Sequence, residues 1–316
     1  MYRKLSALLL IAVFTLPVVA SNGLLMDKIV TQYPTTFTKI VAVDLAKLKG
    51  DETLDAAIMG PLSAANHPLN GILRSLGILG LDVADVVHAT YATGQEMTPF
   101  SLVLGVDTDQ AMAAVGEIEA GAGAPGASYT NWDMETIVDT SVVITGGRFG
   151  PFEMQWSYFA KDDLLWIGSE VGLIAPPDLD RLRASSESVL NRSIGETSVF
   201  AELLMGMAVG GGDISFVRAT DVAKDRPLEA GDEAMAYAVT FDGDSAAVRF
   251  LIRFSSIAEA FSVAENLAAG TSSYLAQDLY HSELANVTQS GELLLFEVTT
   301  DLAGIVGLLM LTVPII

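Results

Sequence analysis

The hydrophobic pattern of this chain switches repeatedly between a period of two and a period of three to four. Few folds accommodate that alternation when the period-two runs come in adjacent pairs. Thr38–Leu45 (TKIVAVDL) reads as a strand ending near Asp44, and the spacing then predicts helices over Glu52–Ala64 and Leu69–Leu79. Val83–Thr93 and Phe100–Val106 are strand-like runs separated by a loop with Gly94 and Pro99, and Asp107–Ile118 is helical with Asp107 or Thr108 as its cap. Glu135–Val138, Met154–Ala160 and Leu164–Ile167 are further strands. The later part continues with a helix over Ser198–Met207 and a strand over Asp213–Ala219. A hairpin follows, Ala234–Phe241 and Ser245–Phe254 about Asp242-Gly243-Asp244, and then an amphipathic helix over Ile257–Ala269 capped by Ser255 or Ser256. Leu284–Thr288 and Glu292–Thr299 form another hairpin about Ser290-Gly291. Hairpins joined by single helices imply mainly antiparallel sheets with helices packed on one face, the α+β class.

Three stretches recur in order. Leu69–Thr90 parallels Ser198–Thr220, Leu104–Ala120 parallels Ile252–Ala269, and Lys39–Leu48 parallels Leu164–Leu173. This suggests a tandem duplication dividing near residues 150–163. The expected organisation is a leader over 1–20, a first repeat over 21–155 and a second repeat over 156–316 ending in an apolar helix. A split ferredoxin-like topology, used twice, is the expected architecture.

The segments VAVDLAKL, LGLDVADVVHA, FSLVLGVDTDQAMAAV, LLWIGSEVGL and SVLNRSIGETSVFAELL together resemble a widespread family of exported bacterial proteins of unknown function. That resemblance implies a signal or lipid anchor and a duplicated α+β domain, and it supplies no catalytic residue. The chain departs from it in lacking a lipobox cysteine: Val19-Ala20-Ser21 stands at the signal junction, and there is no cysteine anywhere.

The amino terminus independently reads as a secretory signal peptide. Arg3 and Lys4 form a positive n-region, Leu5–Ala20 an apolar stretch with Pro17 near its end, and Val18 and Ala20 the small residues before a cleavage site. The expected product is exported to the periplasm, the cell surface or the medium. Charge narrows the partners. The chain has 17 basic and 39 acidic residues, a net charge of −22, and losing Arg3 and Lys4 makes it more negative still. Such a surface repels nucleic-acid phosphates and anionic headgroups. A protein partner is the remaining macromolecular expectation.

No motif dictates a reaction. His67, His88 and His281 are scattered without metal-pair spacing, and no G-x-S-x-G elbow or P-loop lysine occurs. GAGAPG at 121–126 spells a dinucleotide fingerprint but follows a helix and contains Pro125, while GGGD at 210–213 reads as a helix-to-strand joint. Asp107, Asp109, Asp162, Asp163, Asp242 and Asp244 fall at caps and turns rather than in a calcium loop. Trp132, Trp156, Trp166, Tyr158 and Phe159 read as core or cross-strand aromatics, with a ligand platform in an inter-repeat cleft as the alternative. Asn191-Arg192-Ser193 and Asn286-Val287-Thr288 are acceptor sequons in a host that glycosylates exported chains. No catalytic, metal or cofactor residue is assigned.

The uncharged segment Leu302–Ile316 is the remaining place where membrane contact could be encoded; at about 22 Å as a helix it falls short of a bilayer core of about 30 Å. The sequence therefore predicts that Leu302–Leu311 packs as a helix on the second sheet. The overall expectation is a non-catalytic, exported binding or envelope protein, with a carboxylate-dependent hydrolase acting in an inter-repeat cleft as the alternative.

Overall fold

The computed structural model describes residues 37–60, 88–94, 98, 100–119, 127–149, 152–162, 164–172, 176–191, 212–219, 232–271 and 282–312. The signal-peptide segment, His67, His281, the GAGAPG stretch, and the helices expected over Leu69–Leu79 and Ser198–Met207 lie outside them.

In chain order the elements are β1 (Phe37–Val43), α1 (Leu45–Gly50), α2 (Glu52–Leu54) running into a π-helical turn (Asp55–Met59), β2 (His88–Gly94), β3 (Phe100–Leu104), α3 (Thr108–Glu119), β4 (Ala127–Ile137), β5 (Thr140–Phe149), β6 (Phe152–Lys161), β7 (Leu164–Gly172) and α4 (Leu179–Leu190). Then come β8 (Ile214–Ala219), β9 (Asp232–Asp242), β10 (Ser245–Phe254), α5 (Ile257–Ala268), β11 (Glu283–Ser290), β12 (Leu293–Asp301) and α6 (Leu302–Thr312). The class is α+β, and every strand pairing is antiparallel.

The twelve strands among the described residues belong to one sheet, in the order β11-β12-β10-β9-β8-β1-β2-β3-β7-β6-β5-β4. Its middle is the β1–β8 pair, where Lys39 lies opposite Arg218, Val41 opposite Phe216 and Val43 opposite Ile214. Outward from this seam each side repeats one order of strands: three strands paired in chain order (β1-β2-β3, with α1, α2 and the π-helical turn between the first two, or β8-β9-β10), a helix (α3 or α5), a return to pair with the third strand (β7 or β12), and a closing helix (α4 or α6). The β4–β5 hairpin is additional on the first side.

The expected split ferredoxin-like order is not confirmed among the described residues: β1-β2-β3 and β8-β9-β10 pair side by side in chain order, whereas that order sets the first and second strands apart. The residue matches fare unevenly. Leu104–Ala120 and Ile252–Ala269 do occupy equivalent places, as α3 and α5 after the third strand on each side. Lys39–Leu48 (β1) and Leu164–Leu173 (β7) do not, and the described strands of Leu69–Thr90 and Ser198–Thr220 are β2 and β8, which differ in place. Residues 155 and 156 fall inside β6.

Alternation along the strands feeds two cores. One face carries Met235, Tyr237, Val239, Phe250, Ile252, Phe296, Val298, Trp156, Tyr158 and Ile167 beneath α1, α2, α3, α5 and α6. Tyr237, Phe250 and Phe296 run across three strands in ring contact, with centroids 5.7 and 4.7 Å apart. The other face carries Phe100, Leu102, Val142, Ile144, Phe159 and Trp166 beneath Leu182, Val189 and Leu190 of α4. The expectation of helices on one face is therefore corrected. Strands β6 and β7 are apolar on both sides, so each side needs a cover.

The caps follow the sequence. Asp107 Oδ1 accepts from the backbone N–H groups of Asp109 and Gln110, and Ser256 Oγ from that of Glu259. Leu302–Thr312 is helical, with Ile305, Leu308 and Leu309 fully buried against the strands. No helix among the described residues is long and apolar enough to cross a membrane.

Candidate functional site

Three carboxylates are buried among the described residues: Asp44, Asp213 and Glu170. A buried carboxylate must be neutralised or hydrogen-bonded, so their surroundings decide what each can do.

Glu170 stands on β7, on the face covered by α4. Between its apolar contacts at Leu182 and Val189, α4 presents Arg181, Ser185 and Ser186 to β6 and β7, so a polar strip runs beneath it. Glu170 Oε1 accepts from Thr98 Oγ1 at 2.5 Å and from Arg181 Nε at 2.6 Å, and Arg181 Nη2 donates to Oε2. Thr98 N–H donates to Ser185 Oγ at 2.9 Å, and Ser186 Oγ donates to the Leu182 carbonyl and lies 3.2 Å from Ser157 Oγ. The hydrogen bond to Glu170 raises the Arg181 pKa above its ordinary value, against the opposing pull of burial. At the other end of α4, Lys161 Nζ donates to the carbonyls of Val189 and Leu190 at 3.1 and 3.0 Å. Both ends of the helix are thus tied to β6 and β7.

Asp213 precedes β8 at the central seam. Its Oδ2 accepts from Phe241 N–H at 2.8 Å and from Lys47 Nζ at 2.7 Å, while Asp44 caps α1 by accepting from Lys47 N–H at 2.9 Å. The backbone closes the same corner through Asp44 N–H to the Asp213 carbonyl. A third cluster sits where α4 meets the sheet edge. Arg183 forms a forked pair with Glu135 of β4, which raises the Arg183 pKa, and approaches Asp180 at 3.6 Å.

Chemically, these groups are occupied. Each buried carboxylate faces donors that belong to the fold, so it holds strands and helices together. Among the described residues, no group of three or more His, Asp or Glu side chains is arranged to hold a metal ion.

The residues singled out in the sequence are dispersed. His88 lies in β2, opposite Leu104. Phe159 and Trp166 stack at 6.1 Å with Phe100 beside them, whereas Trp156 and Tyr158 face the other core, so these aromatics form no single platform. Their strands are separated from β8 by β1, β2 and β3. Where an inter-repeat cleft was expected, the β1–β8 ladder is continuous. Asp162 and Gly243 take positive φ in turns, and Gly212 presses so closely on β9 that an added Cβ would lie 2.4 Å from the Val239 carbonyl oxygen. Only the strand side of the helix-to-strand reading of GGGD, Gly212 and Asp213 leading into β8, lies within the described residues.

The Glu170 network was missed. Its signal was Glu170 inside the apolar run LLWIGSEVG, followed by the Arg-rich DRLR: a charge within a both-faces-buried strand requires a partner close by.

The architecture defines an α+β protein built on one broad antiparallel sheet. No family model matches the chain, and no curated protein matches it. Among solved structures it is similar to crystal form I of the bacterial protein TP0453, with 8% identity and a TM-score of 0.48 over 90% of this chain and 97% of that one. Crystal form III of the same protein gives 9% identity and a TM-score of 0.46 over 88% and 96%.

Proposed function

We propose that this chain is an exported, non-catalytic protein that binds a protein partner in or near the cell envelope. The observation that carries the non-catalytic part is the saturation of its buried carboxylates. Glu170 is held by Thr98 and Arg181, and Asp213 by Lys47 and Phe241 N–H. A carboxylate acid or base must instead reach a substrate proton or a water. Export rests on the leader pattern of residues 1–20 and on the family resemblance. The burial of Ile305, Leu308 and Leu309 supports a core role for Leu302–Thr312 in place of membrane contact.

We also read the common order of the two sides as the remnant of a tandem duplication. The division then falls between α4 and β8, not at residue 155, and the first copy has gained the β4–β5 hairpin.

The test is turnover. The mature chain, offered ester, peptide, glycoside and phosphate-ester substrates, is expected to hydrolyse none above background. Hydrolysis that disappears in Glu170→Gln or Asp213→Asn, with the fold retained, would establish the carboxylate hydrolase instead.

A further inference from the structure

The additional hairpin ends the sheet in β4, and its turn fixes which backbone groups face outward. Val138 and Asp139 form a two-residue turn with φ of 47° and 60°, closed by the Ile137–Thr140 pair. In such a hairpin the closing pair is hydrogen-bonded, and pairing alternates from there. Ile137, Glu135 and Asp133 therefore bond inward to β5, and Met134 and Thr136 direct their N–H and C=O groups away from the sheet. Among the described residues, no strand pairs with that edge.

The side chains along the same stretch are sorted by face. Asp133 and Glu135 lie on the α4 face, near Asp180, whose side chain is 97% exposed, and exposed Asp139 follows in the turn. Arg183 is the cation paired with Glu135 there. On the opposite face Met134 is 55% exposed, and Val138 at the tip is 42% exposed, though a β-branched residue rarely takes positive φ. This edge has neither lysine nor proline from Trp132 to Ile137, the residues that commonly blunt an open strand.

We infer that β4 is a docking strand for an extended segment of a partner protein that alternates basic and apolar side chains. The segment adds antiparallel to Met134–Thr136, in the manner of strand addition. Residues opposite Asp133 and Glu135 then occupy non-hydrogen-bonded positions, where side chains approach most closely, and lysine or arginine there answers the carboxylates. Apolar side chains on the other face cover Met134. A second copy of this chain fits poorly, because its own β4 would bring carboxylates against carboxylates on a protein of net charge −22. The inference rests on the binding reading above and narrows it to one edge and one partner chemistry.

The probe is a fluorescent heptapeptide of alternating lysine and valine, titrated into the full mature chain at physiological salt and followed by anisotropy. Saturable binding is expected, with slower hydrogen exchange at the Met134 and Thr136 amides. The same peptide N-methylated at alternate amides keeps its charge but loses the ladder, and it should bind about tenfold more weakly. Thr136→Pro, which removes an outward N–H, should weaken the parent peptide to a similar degree with an unchanged melting temperature. If Thr136→Pro does not fold, the N-methylated peptide decides alone. Equal binding of both peptides would reduce the contact to charge and overturn the inference, as would failure of both to bind. Protection of the Met134 and Thr136 amides in the free chain would overturn it too, because the edge would already be filled by this chain or a second copy. Should the β4 probe fail while the exported chain still crosslinks to a partner equally in wild type and Thr136→Pro, the binding reading survives and the β4 site does not.

Discussion

Lys47 Nζ lies 2.7 Å from Asp213 Oδ2, joining residues 166 positions apart at the seam between the two sides of the sheet. Asp213 is buried and also accepts from Phe241 N–H, while the Lys47 side chain is 41% exposed. The two ends of the pair are therefore unequal. Asp213→Ala strands a buried N–H and should cost about 3 kcal/mol. Lys47→Met leaves the buried carboxylate to the Phe241 N–H, but water reaches the Lys47 side of the pair, which is 41% exposed, so the cost should be about 2 kcal/mol. Denaturant midpoints of the two variants check the ranking. Equal costs would mean that the ion pair, not the Phe241 N–H, is what the carboxylate is needed for.

Next to it, Gly212 is required by space. An alanine Cβ would meet the Val239 carbonyl oxygen at 2.4 Å and its nitrogen at 2.8 Å, and both are ladder backbone that cannot rotate away. Gly212→Ala is expected to destabilise by about 3 kcal/mol. Gly50, at the end of α1 with nothing within 4 Å of its added Cβ, is the control. Gly50→Ala should be neutral or stabilising by about 0.5–1 kcal/mol. Thermal melts of the pair separate a packing requirement from a general intolerance of substitution.

The attachment of α4 depends on Glu170 and Arg181 jointly. Arg181→Met leaves a buried carboxylate with Thr98 as its neutral donor and should cost about 3 kcal/mol. Glu170→Gln keeps the shape and should cost about 2 kcal/mol. The double variant Glu170→Gln with Arg181→Met should lose less than the two single costs combined, since no charge is left buried. Near-ultraviolet circular dichroism from the stacked Phe159 and Trp166 reports whether α4 stays seated.

Much of this architecture was readable, and the failures have physical causes. Strand β9 alternates large and small residues, with Met235, Tyr237, Val239 and Phe241 in one core and Ala234, Ala236 and Ala238 in the other, and Gly243 at φ 59° closes the hairpin with β10 where the Asp-Gly pair stands. Helix α4 was invisible because two of its buried positions are Ser185 and Ser186, which break the apolar stripe. Strand β5 was hidden by Gly146 and Gly147. The single-face expectation overlooked a signal in plain view. WSYFA and LLWIG are apolar at successive positions, which marks strands covered on both sides. The β1–β8 pairing that makes one sheet is a long-range choice that no local period encodes. The edge chemistry of β4 was likewise out of reach, since it depends on which amides turn outward.

One acid-sensitive element stands apart from the core. The Glu259 carboxylate accepts from Ser255 and Ser256 hydroxyls at 2.5 and 3.1 Å, and those bonds hold its pKa below the ordinary carboxylate value. A lowered folded-state pKa stabilises the folded form above the unfolded-state value of about 4.3. That contribution is lost as pH falls through the folded value. The first turn of α5 should therefore fray only as pH falls below the ordinary carboxylate value, and in Glu259→Gln this step should be absent. Hydrogen exchange in α5 from pH 6 to pH 3, corrected for intrinsic rates, measures it.

Export is the premise on which a binding role outside the cytoplasm stands, and N-terminal sequencing of the native chain after fractionation tests it most directly. Protein recovered from the envelope or the medium should begin at Ser21. Recovery of the chain from the cytosol with Met1 intact would contradict it.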